Sequence, residues 1–408
     1  MDMKTRILAA LWFGSLVNYL DRVAISVAGP SIMKSLAISP ASFGIILSAF
    51  SLGYVLTQLP GGLLADKFGA KVVLVAGPIF WAVFTGATGL AMTLAAFVAA
   101  RLLFGISEGL TIASLHRLVG DRFDQRQRAL AMGITLSALA VAPALAGPFV
   151  GWISATYGWR VMFFILMVPP LLASAFYQLA VPSIPAGQAQ DQPDHDDEEG
   201  SVRAILIRPT FWLMCLYFFA YNIAFWGYIG WMPSYLSMAH HISLKSLGIL
   251  AGIPYVFAFF GLLLAGWLAA HPLHNRRPLM IGIAFVCAGA SLAVAYLADN
   301  LQQSLIGLSA AAFFLYGSQG ATGALLLDLA PVRYRATYSG MVGTAGQLGG
   351  LIAPVVVGFL VNASGTFASG FGFMIGALCF AAVCVLSLSG PVALKIKRRA
   401  EKLSAVQV

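Results

Sequence analysis

Long apolar runs broken by brief polar punctuation fill the chain from end to end. Cut at charges, prolines and glycines, they give twelve segments, near 7–33, 43–65, 72–92, 95–119, 129–155, 158–180, 209–238, 245–270, 278–298, 301–327, 336–362 and 367–390. A helix of roughly 20 residues spans a bilayer, so the pattern predicts twelve transmembrane helices in an all-α membrane protein. Gly and Pro are frequent inside the runs, which membrane helices tolerate better than soluble ones do.

One connection differs from the rest. Residues 182–208 carry Pro182, Pro185 and Gly187, then the acids Asp191, Asp194, Asp196, Asp197, Glu198 and Glu199. Such a segment cannot bury apolar area and is expected to be a solvated, flexible linker. It divides the chain into a six-helix bundle at 1–181, the linker 182–208, a second six-helix bundle at 209–390 and a basic tail at 391–408. The two bundles echo each other. Pro30 recurs as Pro233 at an offset of 203; Gly44 and Gly62 recur as Gly248 and Gly266 at 204. Arg128-Ala129, Gly133 and Gly151 recur as Arg335-Ala336, Gly340 and Gly358 at 207. A near-constant offset over several helices marks an internal duplication. Duplicated bundles joined by a central linker describe a parallel-repeat transporter with its site between the repeats, near mid-membrane.

Composition sharpens this reading. The chain is 60% hydrophobic and 10% charged, where soluble domains are roughly a quarter charged. Its net charge of +9 raises nucleic acid as a partner, but the placement of the charges argues against it. With the spans above, 19 of the 24 Lys and Arg residues fall on one side, from Lys4 and Arg6 through Lys67, Lys71, Arg117 and Arg122 to the tail. Lys34, Arg160 and Lys245 fall on the other side, and Arg22 and Arg101 stay inside spans. This asymmetry predicts both termini in the cytoplasm, and the short outer loops suggest a bacterial cytoplasmic membrane. Cys215, Cys287, Cys379 and Cys384 lie in spans and read as neither a disulfide framework nor a metal knuckle. No cofactor or metal is expected. The partners expected are a small organic anion, protons and the lipid bilayer, with the protein a monomer. No metal cluster, nucleophile elbow or phosphate loop points to an enzyme.

The stretch that organises the chain is Trp12–Pro30, WFGSLVNYLDRVAISVAGP, an apolar span with Asp21 and Arg22 side by side in its middle. An ionisable side chain at that depth costs roughly 2.5–3.5 kcal/mol on insertion scales, so it faces a partner or a wet cavity. The fourth span adds Arg101 and Glu108, seven residues apart and so on one helix face about 10 Å apart. With both acids ionised the four charges cancel. A bound carboxylate adds one negative charge, and protonating Asp21 or Glu108 restores neutrality, which couples anion entry to proton entry. The alternative is a pair of static ion bridges holding helices together.

Other polar groups rank lower. His116 lies two further turns along from Glu108 and reads as a helix-end histidine bonded to backbone or solvent, with a proton relay as the alternative. Asp328 is expected to join Arg333 and Arg335. The seventh span holds Tyr217, Tyr221, Phe225, Trp226, Tyr228 and Trp231 around Asn222. Tyr221 and Asn222 are candidates for the pocket, as is the buried amide of Gln319, against packing as the alternative. The second half has no ionisable residue at mid-depth, so charge chemistry is expected from the first.

Two loops carry a family resemblance. Gly62-Leu-Leu-Ala-Asp66-Lys67-Phe-Gly69-Ala-Lys71 resembles the loop signature of the major facilitator superfamily, GxxxD[R/K]xGx[R/K], at every signature position. In that family the loop latches the halves together, which the resemblance assigns to Gly62, Asp66, Lys67, Gly69 and Lys71. The second-half copy is degraded, with Ala270 and His271 in place of the acid and base. The loop 121–133, DRFDQRQRALAMG, resembles the second cytoplasmic signature, with Gln125 where a glutamate is usual. Gly147-Pro148 and Gly158-Trp159-Arg160 resemble the fifth-span ending.

Within that superfamily, Asn18-Tyr-Leu-Asp21-Arg22 resembles the first span of the anion:cation symporters, which include bacterial galactonate, glucarate and hexuronate proton symporters and are related to sialin and the vesicular glutamate carriers. Gly53-Tyr54 with Gln58-Leu-Pro60, and Arg101-Leu-Leu-Phe-Gly105-Ile-Ser-Glu108-Gly109, fit the second and fourth spans. The resemblance implies proton carriage by Asp21 and Glu108, and substrate contact by Arg22 and Tyr54. It puts Gln347 where the family often has an asparagine near substrate. Arg101 is expected to partner an acid in the empty site. After Glu108 the family's proline-rich run is replaced by Leu110-Thr-Ile-Ala-Ser-Leu-His116, so the pocket beside Glu108 differs in shape. The expected activity is proton-coupled symport of a sugar acid or other carboxylate by alternating access. Its rivals are a proton-coupled exporter on the same fold and a receptor that binds without transporting.

Overall fold

The computed structural model describes residues 2–123, 125–182, 202–270, 273–330 and 335–390. Twelve rods account for them. They are α1 Met3–Leu36, α2 Pro40–Phe68, α3 Ala70–Leu90, α4 Leu94–Arg122, α5 Gln125–Tyr157 and α6 Trp159–Ala180, then α7 Pro209–His240, α8 Leu244–Ala270, α9 Arg277–Leu297, α10 Leu301–Leu329, α11 Arg335–Ser364 and α12 Ala368–Ser387. Rod α6 breaks at Met167, where Pro169 and Pro170 open its second segment and supply no amide to the turn before. Ten rods carry a window long and apolar enough to cross a membrane. The two without one are α1, interrupted by Asp21 and Arg22, and α10.

Helix ends follow the local sequence. Ser39, Thr93 and Asn300 stand before α2, α4 and α10, and their side-chain oxygens accept the backbone N–H three residues on. Gly69 and Gly158 take φ near +85°, a region glycine enters without strain, and turn the chain from α2 into α3 and from α5 into α6 with no intervening loop. The linker differs from expectation at its end. Val202–Ile207 is helical with Ile205 buried, because VRAILI is apolar enough to pack. Residues 183–201 and the tail lie outside the described residues.

Two compact units form. One takes Met1–Gln192 together with Ile229–Val256 and Pro354–Phe367; the other takes Pro193–Tyr228, Phe257–Ala353 and Ala368–Val408. The duplication becomes visible inside the first unit. A Cβ on Gly44 of α2 would sit 2.4 Å from the Pro354 carbonyl oxygen of α11, and a Cβ on Gly248 of α8 would sit 2.5 Å from the Gly147 carbonyl oxygen of α5. Gly248 repeats Gly44 and Pro354 repeats Gly147, so duplicated positions make the same backbone contact twice. Gly151 and its repeat Gly358 border the same two contacts.

The seam that aims the charged residues is α2 against α4. Gly105 and Gly109, four apart on α4, let the helices touch backbone to backbone; a Cβ on Gly105 would lie 2.1 Å from the Phe50 carbonyl oxygen. Thr57 Oγ1 lies 2.8 Å from the Gly53 carbonyl oxygen and 3.0 Å from that of Ile106, placing its hydroxyl between α2 and α4. Glu108 lies between the two glycines, turned about 100° from Gly109 and so toward α1. Gly105→Ala is therefore expected to destabilise by about 1–3 kcal/mol, through overpacking against fixed backbone. Gly133→Ala, with nothing within 4 Å of the added carbon, should be tolerated or stabilising. Thermal unfolding of the two purified variants in detergent compares them directly.

Candidate functional site

Adjacent residues on a helix point about 100° apart, so Asp21 and Arg22 enter different surroundings. Asp21 is 2% exposed, and neither carboxylate oxygen makes a hydrogen bond. Arg101 of α4 and Thr85 of α3 stand beside it, with no closed ion pair. Arg101 is as deeply buried, with its guanidinium carbon 4.4 Å from the Phe104 ring centre and 5.5 Å from that of Phe50. Neither Asp21 nor Arg101 reaches the cavity described next.

Arg22 turns the other way. Its guanidinium closes an ion pair with Glu108 and bonds Oε1 through both Nε and Nη2. The rings of Tyr54, Phe50 and Tyr19 surround the cation at 4.6, 4.9 and 5.4 Å. A desolvated cation over aromatic faces gains about 2 kcal/mol or more per contact of this kind. Glu108 is 1% exposed; Asn18 stands next to it, and its second oxygen, Oε2, has no hydrogen-bond partner. Both members of the pair line a cavity of ≈ 40 Å³ within the first bundle, with Tyr54 also in its wall. The charges fall into two couples, Arg22 with Glu108 and Arg101 beside Asp21. Only the first couple meets open space.

The latch residues are partly described. Lys67 is exposed with its ammonium 5.3 Å from the Phe68 ring centre, Lys71 is half-buried and Gly69 makes the turn already noted. Gly62 and the side chain of Asp66 lie outside what is described. Close by, Arg117 of α4 donates to the Ala65 carbonyl at 3.0 Å and stands 3.6 Å from Asp121. The second half builds a counterpart from other residues. Arg277 donates to the Ala269 carbonyl at 3.2 Å and forms an ion pair with Asp328, which is 207 residues from Asp121. Asp328 thus pairs with the arginine opening α9, while the expected Arg333 and the side chain of Arg335 lie outside the described residues. Pro278 is the second residue of α9, and the arginine before it meets the acid near the end of α10.

In the second unit, Tyr221 is buried, stacked on Phe285 at 5.3 Å, and donates its hydroxyl to the Leu315 carbonyl at 3.0 Å. Gln319 stands beside that hydroxyl. Asn222 donates to the Phe218 carbonyl at 2.7 Å, one turn back on its own helix. These groups tie α7 to α10 or to itself. Gln347 of α11 behaves differently: it is half-buried and makes no hydrogen bond with a described residue. Tyr221 and Tyr228 of the seventh span thus each donate to a carbonyl of α10.

Four participants escaped the sequence reading as site residues: Tyr19, Asn18, Phe50 and Thr85. Tyr19 lies three residues before Arg22 and Phe50 four before Tyr54, so helix spacing places each ring on the same face as a named residue. Phe50 holds one arginine over its ring at 4.9 Å and the other at 5.5 Å. Only knowledge of how α2 meets α4 identifies it.

Comparison with known proteins agrees with this architecture. The family model described as Major Facilitator Superfamily matches residues 11–354 and 273–407. A hexuronate transporter of Bacillus subtilis is 29% identical, covering 95% of both chains. The protein named probable sulfoacetate transporter SauU, of Cupriavidus necator, is 31% identical, covering 90% of this chain and 89% of its own. A D-galactonate transporter of Escherichia coli O6:H1 is 28% identical over 93% and 92%. Among solved structures, a bacterial homolog to the human lysosomal transporter Spinster, inward-facing and unoccupied, superposes with a TM-score of 0.81 at 20% identity, over 97% and 98% of the two chains. With twelve helical rods, a duplicated bundle and relatives that are all named transporters, this chain belongs to the Major Facilitator Superfamily and is a multi-pass membrane transporter.

Proposed function

We propose that the protein is a proton-coupled symporter of a small organic anion, working by alternating access in a bacterial cytoplasmic membrane with both termini inside. The observation that carries this reading is the Arg22–Glu108 pair at the cavity wall. Removing one partner of a buried pair leaves an uncompensated charge and costs about 3–5 kcal/mol. A substrate carboxylate can therefore take Arg22 only if Glu108 loses its charge at the same moment, by accepting a proton. The bidentate fork of Arg22 suits a carboxylate, and the aromatic box holds the fork in place after Glu108 leaves. Asp21 is the second proton carrier, with Arg101 beside it to balance its charge whenever it ionises. Tyr54 borders the anion, and the unsatisfied amide of Gln347 is the second-half group best suited to meet it.

The relatives support the substrate class. Hexuronate, galactonate and sulfoacetate differ in length and hydroxylation but share an ionised carboxylate. The box around Arg22 recognises that group and little else. The latch loop and its second-half counterpart would hold the cytoplasmic ends while the repeats rock.

Binding should follow the sign of this exchange. Low pH favours a neutral Glu108 and a free Arg22, so thermal shift with D-glucuronate, D-galactonate or sulfoacetate should be larger at pH 5.5 than at pH 7.5. In Glu108→Gln that pH dependence should vanish, while binding persists. Arg22→Lys should weaken binding by about tenfold or more, since a point charge cannot replace the fork. Binding that stays unchanged in Arg22→Lys would remove the arginine from the site.

Transport separates the rival directions. In proteoliposomes the wild type should accumulate the acid down an imposed proton gradient and draw protons in with it. Glu108→Gln should lose gradient-driven accumulation and keep counterflow exchange. Proton release on addition of the acid would instead mark an antiporter. Binding without movement in either direction would mark a receptor.

A further inference from the structure

The cavity beside Glu108 does not end there. Along α4 its wall is Glu108, Thr111, Ile112, Leu115 and His116, the i, i+3, i+4, i+7, i+8 face of one helix. Eight residues of α-helix rise about 12 Å, so the space runs two turns from the ion pair toward the end of α4 that carries Arg117 and Arg122. Along α1 the opposite wall is Gly14, Ser15, Asn18, Tyr19 and Arg22, a face of the same length running antiparallel. A volume of ≈ 40 Å³ has room for about three waters, each needing polar neighbours. The walls supply them through Ser15, Asn18, Glu108 and His116, and Tyr177 of α6 reaches in over Gly14. The ring of His116 is exposed and makes no hydrogen bond or ion pair with a described residue. It is neither a cap nor a structural bridge.

From this we infer that His116 is a proton relay, receiving the proton that Glu108 gives up and passing it to the water on the basic side of the membrane through this intrabundle cavity. The step is a plain proton transfer. Glu108 loses H⁺ to a cavity water or directly along the chain, the neutral ring nitrogen of His116 accepts one, and the imidazolium releases it outward. The inference rests on the symport reading for its physiological use, but not for its geometry. The other titratable groups facing the cavity are Tyr19 and Arg22 from α1, Tyr54 from α2 and Tyr177 from α6; α3 and α5 present only Leu74, Trp81 and Leu136. No second carboxylate or histidine in the cavity wall could substitute. His116 exchanges the proton with Glu108 and has no role in holding the anion.

The test uses infrared spectroscopy of the purified full chain without substrate. The protonated carboxyl band of Glu108 is assigned by its loss in Glu108→Gln, and its exchange rate is followed after transfer to heavy water. In His116→Asn that exchange should slow by about tenfold or more, as loss of a positioned proton-transfer group does, and free imidazole should restore it. His116→Asn should melt within a few degrees of the wild type, because its ring bridges nothing. In proteoliposomes the same variant should lose net proton-coupled uptake of D-glucuronate while keeping counterflow. Exchange at the wild-type rate, slowing without rescue by imidazole, or no Glu108 carboxyl band at any pH from 4 to 9 would each overturn the relay. Wild-type uptake indifferent to a proton gradient would overturn the symport reading and leave the infrared result to stand alone.

Discussion

A charge moved into hydrocarbon must find its opposite, and the first bundle is arranged around that requirement. Four ionisable groups lie at mid-depth, and backbone geometry sorts them into two couples of different character. Arg101 and Asp21 neutralise each other without touching, deep between α1, α3 and α4. Arg22 and Glu108 touch directly at the edge of open space. The cost of separating a buried pair falls mostly on the partner left behind. An interaction of that kind is inert until something replaces one of its members, and in the proposed cycle both replacements are small: a carboxylate for Glu108 and a proton for its charge.

The glycines make this arrangement possible. Glu108 sits between Gly105 and Gly109, and the close seam those two make with α2 fixes the rotation of α4 to within the width of a side chain. The same seam brings Phe50 and Tyr54 under the arginines, since they lie on the α2 face next to the contact. Thr57, whose hydroxyl lies within hydrogen-bond distance of carbonyls on both helices, pins the pair axially as well. Packing and electrostatics are thus one device: the surface without side chains on one side of α4 sets where the carboxylate on the next side points.

Much of this was legible in the chain. The rods follow from apolar runs, and the ion couples follow from charges that a membrane helix cannot leave alone. The repeat offsets also proved physical, with Gly44 and Gly248 making equivalent backbone contacts on Pro354 and Gly147. What sequence could not supply was azimuth. Apolar helices such as α7 and α8 show almost no periodic difference between faces, so nothing in the pattern separates Tyr221, stacked on Phe285, from a pocket residue. The same blindness hid Phe50 and the pairing of Asp328 with Arg277, which comes from the start of a different helix. Pairings along one helix can be counted; pairings between helices depend on rotation.

The contrast between the two halves then has a physical reading. In the second unit several polar groups are answered internally: Tyr221 with a carbonyl, Asn222 with its own helix, Arg277 with Asp328. Such satisfied groups stabilise a rod but cannot respond to a ligand, because exchanging their partners gains nothing. Among the charged groups buried in the first bundle, Glu108 Oε2, the Asp21 carboxylate and Arg101 Nε have no hydrogen-bond partner. Unsatisfied polar atoms in an apolar interior are a standing penalty, tolerated where a transient partner recovers it. All three lie on α1 and α4, where the proposed proton and anion would meet. A static bundle gains nothing from that distribution, whereas a carrier that must let go of its cargo requires it.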